Sequence, residues 1–256
     1  MALKPGLVYR LFHFLWGGLD FFFPPACGGC GKLGVRWCID CRQKLASIPL
    51  PICEICGELQ QKNGICNKCL STRPAFYMLR SCFIYKEPVR PALIRLKYYR
   101  EVGLGEALAW DAALYLDNLG WQADLVLPIP LSEQRIAERG YNQVDLITHP
   151  LARIVGWKYA PNALRRIRHT NSQVGLNVDA RRKNVFGAFE ADVRIVTGKI
   201  ILLVDDVATT GSTLESASNA LMEAGASKVY ALTFAKAMPK FGFDFYNKSI
   251  PSRSLR

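Results

Sequence analysis

The 256-residue chain lacks an uninterrupted apolar stretch long enough to cross a membrane. A transmembrane helix needs about 20 predominantly apolar residues. Residues 7–23 are rich in aromatic side chains, but the run is interrupted by Arg10, His13, Gly17, Gly18 and Asp20. The small-residue cleavage site of a signal peptide is also missing, because Phe-Pro-Pro-Ala follows instead. We therefore expect residues 1–25 to be an amphipathic segment that packs on the protein itself or contacts a membrane surface or a partner.

Acidic residues are scarce in this chain. Its 21 aspartates and glutamates are outnumbered by 33 lysines and arginines, which gives a formal charge of +12. Such a surplus suits a phosphorylated substrate, a nucleic acid or an anionic membrane surface, and the charge alone does not select among them. Half of the residues are hydrophobic, so the chain can bury a sizeable core.

Cysteine is almost absent outside one short region. Eight of the nine cysteines form four Cys-x-x-Cys pairs within residues 27–69, and the remaining one, Cys82, is expected to be a buried thiol. One such pair offers two thiolates to a tetrahedral Zn²⁺, and two pairs complete a site. The expected ligands are Cys27, Cys30, Cys38, Cys41, Cys53, Cys56, Cys66 and Cys69.

Four pairs of this kind predict a double zinc ribbon over residues 26–72 with two structural zinc ions. Pairing in sequence order requires only short hairpins and is favoured, with a crossed pairing as the alternative. Disulfides are the rival interpretation, but they need an oxidising compartment, for which no secretion signal is visible. Redox catalysis normally uses a single such motif on a thioredoxin-like helix.

Residues 200–214 carry the densest chemical signal in the chain. The apolar run Ile200–Val204 predicts a buried parallel strand that ends at two adjacent carboxylates, Asp205 and Asp206. A loop of small and hydroxyl residues follows, and apolar residues at spacings of three and four then predict a helix that stops near Gly225. Because ligands of open α/β sheets bind beyond the carboxyl ends of the strands, we expect a binding site here.

The order of these groups suits one kind of ligand. A helix N-terminus offers N–H groups and a positive dipole end to an anion, and Gly211 lets the backbone close around it. The two carboxylates can accept hydrogen bonds from sugar hydroxyls or help to hold Mg²⁺. A ligand with both a phosphate and a diol fits both halves, whereas the plainer alternative is a capped strand end without a ligand.

A second predicted strand, residues 124–130, ends in prolines that force a sharp departure from the sheet. Arg135 and Arg139 follow four residues apart. Two guanidinium groups near a strand end suit a pyrophosphate, although both can also be simply solvated. Further strands are predicted at 80–86, 186–190 and 228–235, and helices at 89–99, 104–119 and 141–154.

Basic residues cluster in two further places. Helix 89–99 ends in Lys97-Tyr98-Tyr99-Arg100, which is either a solvated face or a functional contact. Residues 165–184 are basic without a sustained period, which is typical of an ordinary surface loop or of a loop that closes, over residues 168–178, on an anionic ligand. The candidate contacts to nucleic acid are Lys97, Tyr98, Arg100, Arg165, Arg168 and Arg182.

The stretch 200–214 closely resembles the binding motif for phosphoribosyl pyrophosphate (PRPP) of type I phosphoribosyltransferases, in which an acidic pair, small residues and a hydroxyl loop occur in this order. The resemblance implies that Asp205 and Asp206 face the ribose hydroxyls of PRPP. It also implies that the 5-phosphate is held by Ala208, Thr209, Thr210, Gly211, Ser212 and Thr213.

Three features together resemble the ComF (ComFC/GntX-like) family. They are the four cysteine pairs, the run Pro-Ile-Pro-Leu…Arg-Gly-Tyr-Asn-Gln that ends at Gln143, and Thr170-x-x-Gln173…Arg181-x-x-Asn184. The resemblance covers residues 19–237 and implies a type I phosphoribosyltransferase fold over 76–237, a mostly parallel α/β sheet flanked by helices. It says nothing of the basic tail, residues 238–256. It also implies a cytoplasmic protein that supports uptake of transforming single-stranded DNA at the inner face of the membrane.

Two functions follow, with a zinc-bearing adaptor as a third interpretation. A phosphoribosyltransferase would transfer ribosyl 5-phosphate from PRPP to an acceptor that the sequence does not identify. Asp205 and Asp206 would then orient the ribose, while Mg²⁺ and the basic residues Arg135, Arg139 and Arg181 stabilise the departing pyrophosphate. A binding protein would instead hold single-stranded DNA along its basic surface, with PRPP as a regulator.

Overall fold

The computed structural model describes residues 24–167 and 187–238. Five strands of this part of the chain form one sheet: Met78–Ile84 (β1), Leu125–Pro128 (β2), Lys158–Tyr159 (β3), Ile200–Ala208 (β6) and Lys228–Lys236 (β7). They are all parallel, in the order β1-β7-β6-β2-β3. Two short strands, Leu164–Arg166 (β4) and Phe189–Ala191 (β5), form a separate antiparallel pair. The predicted α/β fold with a mostly parallel sheet is confirmed.

Two helices of the described residues precede β1, and the other six lie between strands, singly or in pairs. They are Ile39–Gln43 (α1), Asn67–Ser71 (α2), Val89–Tyr98 (α3), Val102–Leu119 (α4), Glu133–Arg139 (α5), Asp145–Val155 (α6), Val193–Val196 (α7) and Ser212–Glu223 (α8). A 3₁₀ turn lies at Pro161–Ala163. Within the ranges that the structure describes, no helix combines the length and the apolar character that crossing a membrane requires.

Strand β6 is longer than the sequence predicts. It does not end at Val204 but continues through the acidic pair to Ala208. The reason is its neighbour β7, which pairs with β6 as far as the register position Ala208–Lys236. Asp205 and Asp206 therefore belong to the last residues of a hydrogen-bonded strand rather than to a loop.

Helix α6 begins at Asp145, four residues later than predicted. The residues before it form a turn that the side chain of Asn142 holds in place. Its Nδ2 donates to the carbonyl of Ile129 at 2.9 Å, and its Oδ1 accepts from the N–H of Val144 at 3.1 Å. An asparagine that bonds to nearby backbone in this way favours a turn over a helix.

The central strand β6 is buried on both faces. Because successive side chains of a strand point to opposite faces, Leu202 and Val204 join one core and Ile201 and Leu203 join another. The first core is shared with α3, α4 and α6, and the second with α8 and the β4–β5 pair. Helices therefore cover both faces of the sheet, which explains the continuous apolar run of β6.

The cysteine-rich region packs against both faces of the same sheet. Cys27, Cys38 and Cys41 belong to the first core, and Cys53 and Cys69 belong to the second. A polar contact also ties the first cysteine group to α4, where Asp111 accepts from the indole N–H of Trp37 at 2.8 Å and lies 3.2 Å from the guanidinium Nε of Arg42. The two cysteine groups are therefore part of the packing of the sheet.

The same region also covers the open edge of the sheet, at strand β1. The N–H of Leu79 donates to the carbonyl of Ile55 at 2.7 Å, and the N–H of Ile84 donates to the carbonyl of Ala46 at 2.8 Å. An uncovered edge strand presents unpaired backbone groups that other chains can pair with. β1 is an edge strand of the sheet, and the carbonyl groups of Ala46 and Ile55 accept hydrogen bonds from backbone N–H groups of β1 that would otherwise face solvent.

Candidate functional site

The eight paired cysteines form two compact groups. The sulfurs of Cys27, Cys30, Cys38 and Cys41 lie within 4.8 Å of one another, and so do those of Cys53, Cys56, Cys66 and Cys69. Pairing in sequence order is therefore confirmed, and the crossed alternative is wrong. The remaining cysteine, Cys82, is fully buried, as predicted, and burial raises the pKa of its thiol.

The spacing of the sulfurs fits zinc rather than disulfides. Distances of 3.6 Å for Cys27–Cys41 and 3.7 Å for Cys30–Cys38 and Cys56–Cys66 match a tetrahedron with Zn–S bonds of about 2.3 Å, which places sulfurs about 3.8 Å apart. A disulfide requires about 2.05 Å. Burial raises the pKa of the Cys27 thiol, but backbone N–H groups of Cys30, Cys38 and Gly29 outweigh it and lower the pKa to about 6. Cys27 thus favours the thiolate, the form that binds zinc, whereas burial raises the pKa of its neighbour Cys41.

The acidic pair lies at the carboxyl end of the central strand. Asp206 is buried, and its Oδ2 accepts from Gln143 Nε2 at 3.0 Å and from Lys97 Nζ at 2.9 Å. Asp205 is half-buried, and its Oδ1 accepts from the backbone N–H of Asp206 at 2.8 Å. Burial, followed by the charge of Asp206, raises the pKa of Asp205 to about 8. Asp205 also lines the depression that follows β6, so its carboxyl group can contact a ligand bound there.

The loop after β6 forms a depression in front of helix α8. Its lining consists of Asp205 and residues 207–214. Gly211, the N-cap of α8, has a φ of +75°, in the left-handed region that favours glycine, and an added Cβ would lie 3.3 Å from Leu79 Cδ2. The hydroxyls of Thr210 and Ser212 are 2.8 Å apart. Since the first turn of a helix leaves N–H groups without intrahelical partners, this depression can receive an anion.

The two predicted arginines reach this region by different routes. Arg139 donates to Gln143 Oε1, and its guanidinium lies over the ring of Tyr98 at 5.6 Å. Arg139 is thus connected through Gln143 to Asp206. Arg135 lies one turn earlier in α5, close to Arg166. The pKa of Arg166 is lowered, mainly by burial and in addition by the positive charge of Arg135.

Two family models match the chain. A double zinc ribbon domain matches residues 18–70, and a phosphoribosyl transferase domain matches residues 150–247. Competence protein F of Haemophilus influenzae is 31% identical over 228 residues, which covers 84% of this chain and 99% of that protein. The chain belongs to the ComF family.

Further members of the ComF family match at similar levels. Competence protein ComFC of Bacillus subtilis is 30% identical, and the match covers 78% of this chain and 84% of ComFC. The DNA utilization protein YhgH of Escherichia coli K12 is 30% identical, and the match covers 77% of this chain and 94% of YhgH.

Three residues at this ComF site have roles that the sequence did not assign. Gln143 and Lys97 both bind Asp206, and Arg166 is a half-buried guanidinium 5.5 Å from the ring of Phe189. The pKa of Arg166 is lowered by burial and by Arg135, while Asp205 opposes both. Gln143 is the last residue of the Arg-Gly-Tyr-Asn-Gln run, and this run was the sequence feature that pointed to it. The contact of Gln143 with Asp206 on β6 depends on the turn held by Asn142.

The residues predicted to contact nucleic acid differ in their exposure and in their partners. Lys97 is paired with Asp206, so it lies at the acidic pair rather than on an open surface. Tyr98 is 70% exposed, and Arg100 directly follows Tyr99, which is 71% exposed. Arg165 is exposed and pairs with Glu190 at 3.0 Å. The other predicted elements lie outside the described residues, namely Arg168, Arg181, Arg182, the loop 168–178, residues 1–23 and the tail after residue 238.

The zinc sites lead to a direct prediction. Purified protein is expected to contain about two zinc ions per chain by mass spectrometry of the metal content. Cys38→Ser and Cys66→Ser should each leave about one ion, since each removes one ligand from one group. Each change should also lower the melting temperature by roughly 10 °C or more, because the groups pack into the two cores. Cys82→Ala is the control and should retain both ions; a zinc content near zero in the unaltered protein contradicts the assignment.

Proposed function

We propose that this protein binds PRPP together with Mg²⁺ at the end of β6 and acts there as a phosphoribosyltransferase in the uptake of DNA. The observation that carries the proposal is the direct succession of an acidic pair, a glycine turn and a helix N-terminus along residues 205–212. Few ligands need both a diol acceptor and an anion site so close together. PRPP needs both, because it carries ribose hydroxyls and a 5-phosphate.

Each part of the ligand has a candidate partner. The 5-phosphate would accept hydrogen bonds from the loop residues Ala208, Thr209, Thr210, Gly211, Ser212 and Thr213. The ribose hydroxyls would donate to Asp205 and Asp206. Arg135 and Arg139, both on α5, would stabilise the pyrophosphate, and Arg181 is proposed for the same role from the family motif.

The oxygen-rich chemistry of the acidic pair and the hydroxyl loop fits Mg²⁺, which prefers oxygen ligands. When bound, Mg²⁺ would supply charge that neutralises the pyrophosphate. In the transfer, the bond between C1 of the ribose and the pyrophosphate oxygen breaks, and the pyrophosphate keeps the electron pair. An acceptor forms the new bond to C1. Asp205 and Asp206 would hold the ribose as positive charge develops at C1, and the arginines would hold the leaving group.

The link to DNA uptake is supported by the relatives. Two of them are named competence proteins and one a DNA utilization protein. The matches extend over about four fifths of this chain.

Binding of PRPP can be measured by isothermal titration calorimetry in the presence of MgCl₂. At a pH above the raised pKa of Asp205, where both carboxyl groups are ionised, Asp205→Asn and Asp206→Asn are expected to weaken binding at least tenfold, about 1.4 kcal/mol, because each removes a charged acceptor for a ribose hydroxyl. Asp117→Asn, at an exposed position on α4, is the matched control and should bind normally. Absence of any heat with the unaltered protein refutes the site.

Turnover requires a separate readout, namely pyrophosphate release in a screen of bases and amines. A stimulated release that Asp206→Asn abolishes would establish the enzyme. If no acceptor raises release above background, with and without single-stranded DNA, the transferase claim fails and PRPP binding alone remains.

A binding function for single-stranded DNA is the second candidate, because the exposed Tyr98 and the half-buried Tyr141 each lie beside a guanidinium group. Arg139 stacks on Tyr98 at 5.6 Å, and Arg100 lies over the ring of Tyr141 at 5.6 Å. Aromatic rings beside basic groups form stacking platforms for single strands, worth about 1–3 kcal/mol per base. In this role PRPP would act as a regulator.

The second candidate is tested by fluorescence anisotropy with a labelled oligothymidylate at several salt concentrations. Tyr98→Ala and Tyr99→Ala should each weaken binding about tenfold, and affinity should fall steeply as salt rises. The control Leu114→Ala changes an exposed apolar residue on α4 and should have no effect. If the unaltered protein binds neither DNA nor PRPP, the zinc-bearing adaptor is the interpretation that remains.

A further inference from the structure

Lys97 is held against the acidic pair. Its Nζ lies 2.9 Å from Asp206 Oδ2, and only 26% of the Lys97 side chain and 10% of the Asp206 side chain are exposed. Gln143 Nε2 donates to the same oxygen at 3.0 Å. Lys97 and Asp206 therefore form an ion pair that is mostly shielded from solvent.

The backbone on either side of Lys97 is fixed by Tyr141. The Tyr141 hydroxyl donates to the carbonyl of Leu96 at 2.6 Å and accepts from the N–H of Arg100 at 2.9 Å. Arg100 has a φ of +50°, in the left-handed region that residues other than glycine rarely adopt. The turn after α3 is thus tied to the segment between α5 and α6, and Lys97 is directed at Asp206 from an anchored position.

The ammonium ion occupies the place that a divalent cation would need at Asp206. A free Mg²⁺ or Mn²⁺ could bind there only by displacing Lys97, which would leave a mostly buried ammonium ion without its counter-ion. A cation that arrives bound to a polyphosphate changes this balance. Its phosphate oxygens can accept hydrogen bonds from the displaced ammonium ion.

We propose that Lys97 is a specificity-determining residue of this site: it excludes free divalent cations from the acidic pair and admits them only as the complex of a pyrophosphorylated sugar. The identity of that sugar rests on the proposed function. The exclusion of free metal rests on the contact between Lys97 and Asp206 and can be tested without any sugar phosphate.

The first test measures Mn²⁺ binding to the zinc-loaded, full-length protein by electron paramagnetic resonance, in which free aqueous Mn²⁺ gives the signal. Lys97→Met should bind one Mn²⁺ at least about tenfold more tightly than the unaltered protein, because the competing charge is gone. The double variant Lys97→Met with Asp206→Asn should lose this gain. Lys97→Arg, which keeps the positive charge, should resemble the unaltered protein.

The second test uses the unaltered protein and so does not depend on the stability of a variant. The ammonium resonance of Lys97, observed in ¹H–¹⁵N spectra, should remain in place when MgCl₂ is added alone and should shift when PRPP is added with MgCl₂. A shift with MgCl₂ alone overturns the proposal.

The two proposals fail in different ways. Equal Mn²⁺ affinity in Lys97→Met and the unaltered protein contradicts the exclusion role, whatever PRPP does. A gain of Mn²⁺ binding in Lys97→Met, combined with no calorimetric heat for PRPP, supports the exclusion role and refutes PRPP as the ligand.

Discussion

The candidate site depends on two neighbouring carboxyl groups, Asp205 and Asp206, at the end of a strand that is buried on both faces. Their partners must come from other elements, and this requirement constrains the packing around the end of β6. Burial of like charges side by side is unfavourable unless the protein supplies partners. The protein does so for Asp206 with Lys97 and Gln143, while the raised pKa of Asp205 reflects burial and the neighbouring charge. The end of α3 and the turn between α5 and α6 must therefore both approach the end of β6. Their convergence creates the walls of the candidate site.

The cysteine region stabilises the same strand system from the outside. It contributes side chains to the cores on both faces and hydrogen bonds to the edge strand β1. Leu79 connects these roles, because its N–H bonds to Ile55 while its side chain limits the space beside Gly211. The cysteine region and the loop after β6 thus both lie against Leu79 of β1, although the two are far apart in the sequence.

Much of the fold follows from local patterns. The apolar run of β6, the spacing of the cysteines and the glycine turn at Gly211 each have one dominant structural solution, and the structure adopts it. The length of β6 was not predictable in this way, because its last residues pair with β7 rather than with anything nearby in sequence. The later start of α6 likewise depends on a contact between Asn142 and the distant strand end at Ile129.

The side-chain partners of the site were the least predictable feature. Lys97 and Asp206 are separated by more than a hundred residues, and a basic residue at a helix end has the same local signature whether it binds nucleic acid or a carboxylate. Only the packing of α3 against the sheet distinguishes the two. The same holds for Gln143, whose sequence neighbourhood identifies a turn but not the group that the amide meets.

The most direct measurement is a crystal structure of the protein with PRPP and Mg²⁺. It should show the 5-phosphate within hydrogen-bond distance of the backbone N–H groups at residues 211–213, and the ribose hydroxyls at Asp205 and Asp206. A sugar phosphate bound elsewhere, or a depression after β6 that stays filled by neighbouring side chains, would contradict the account.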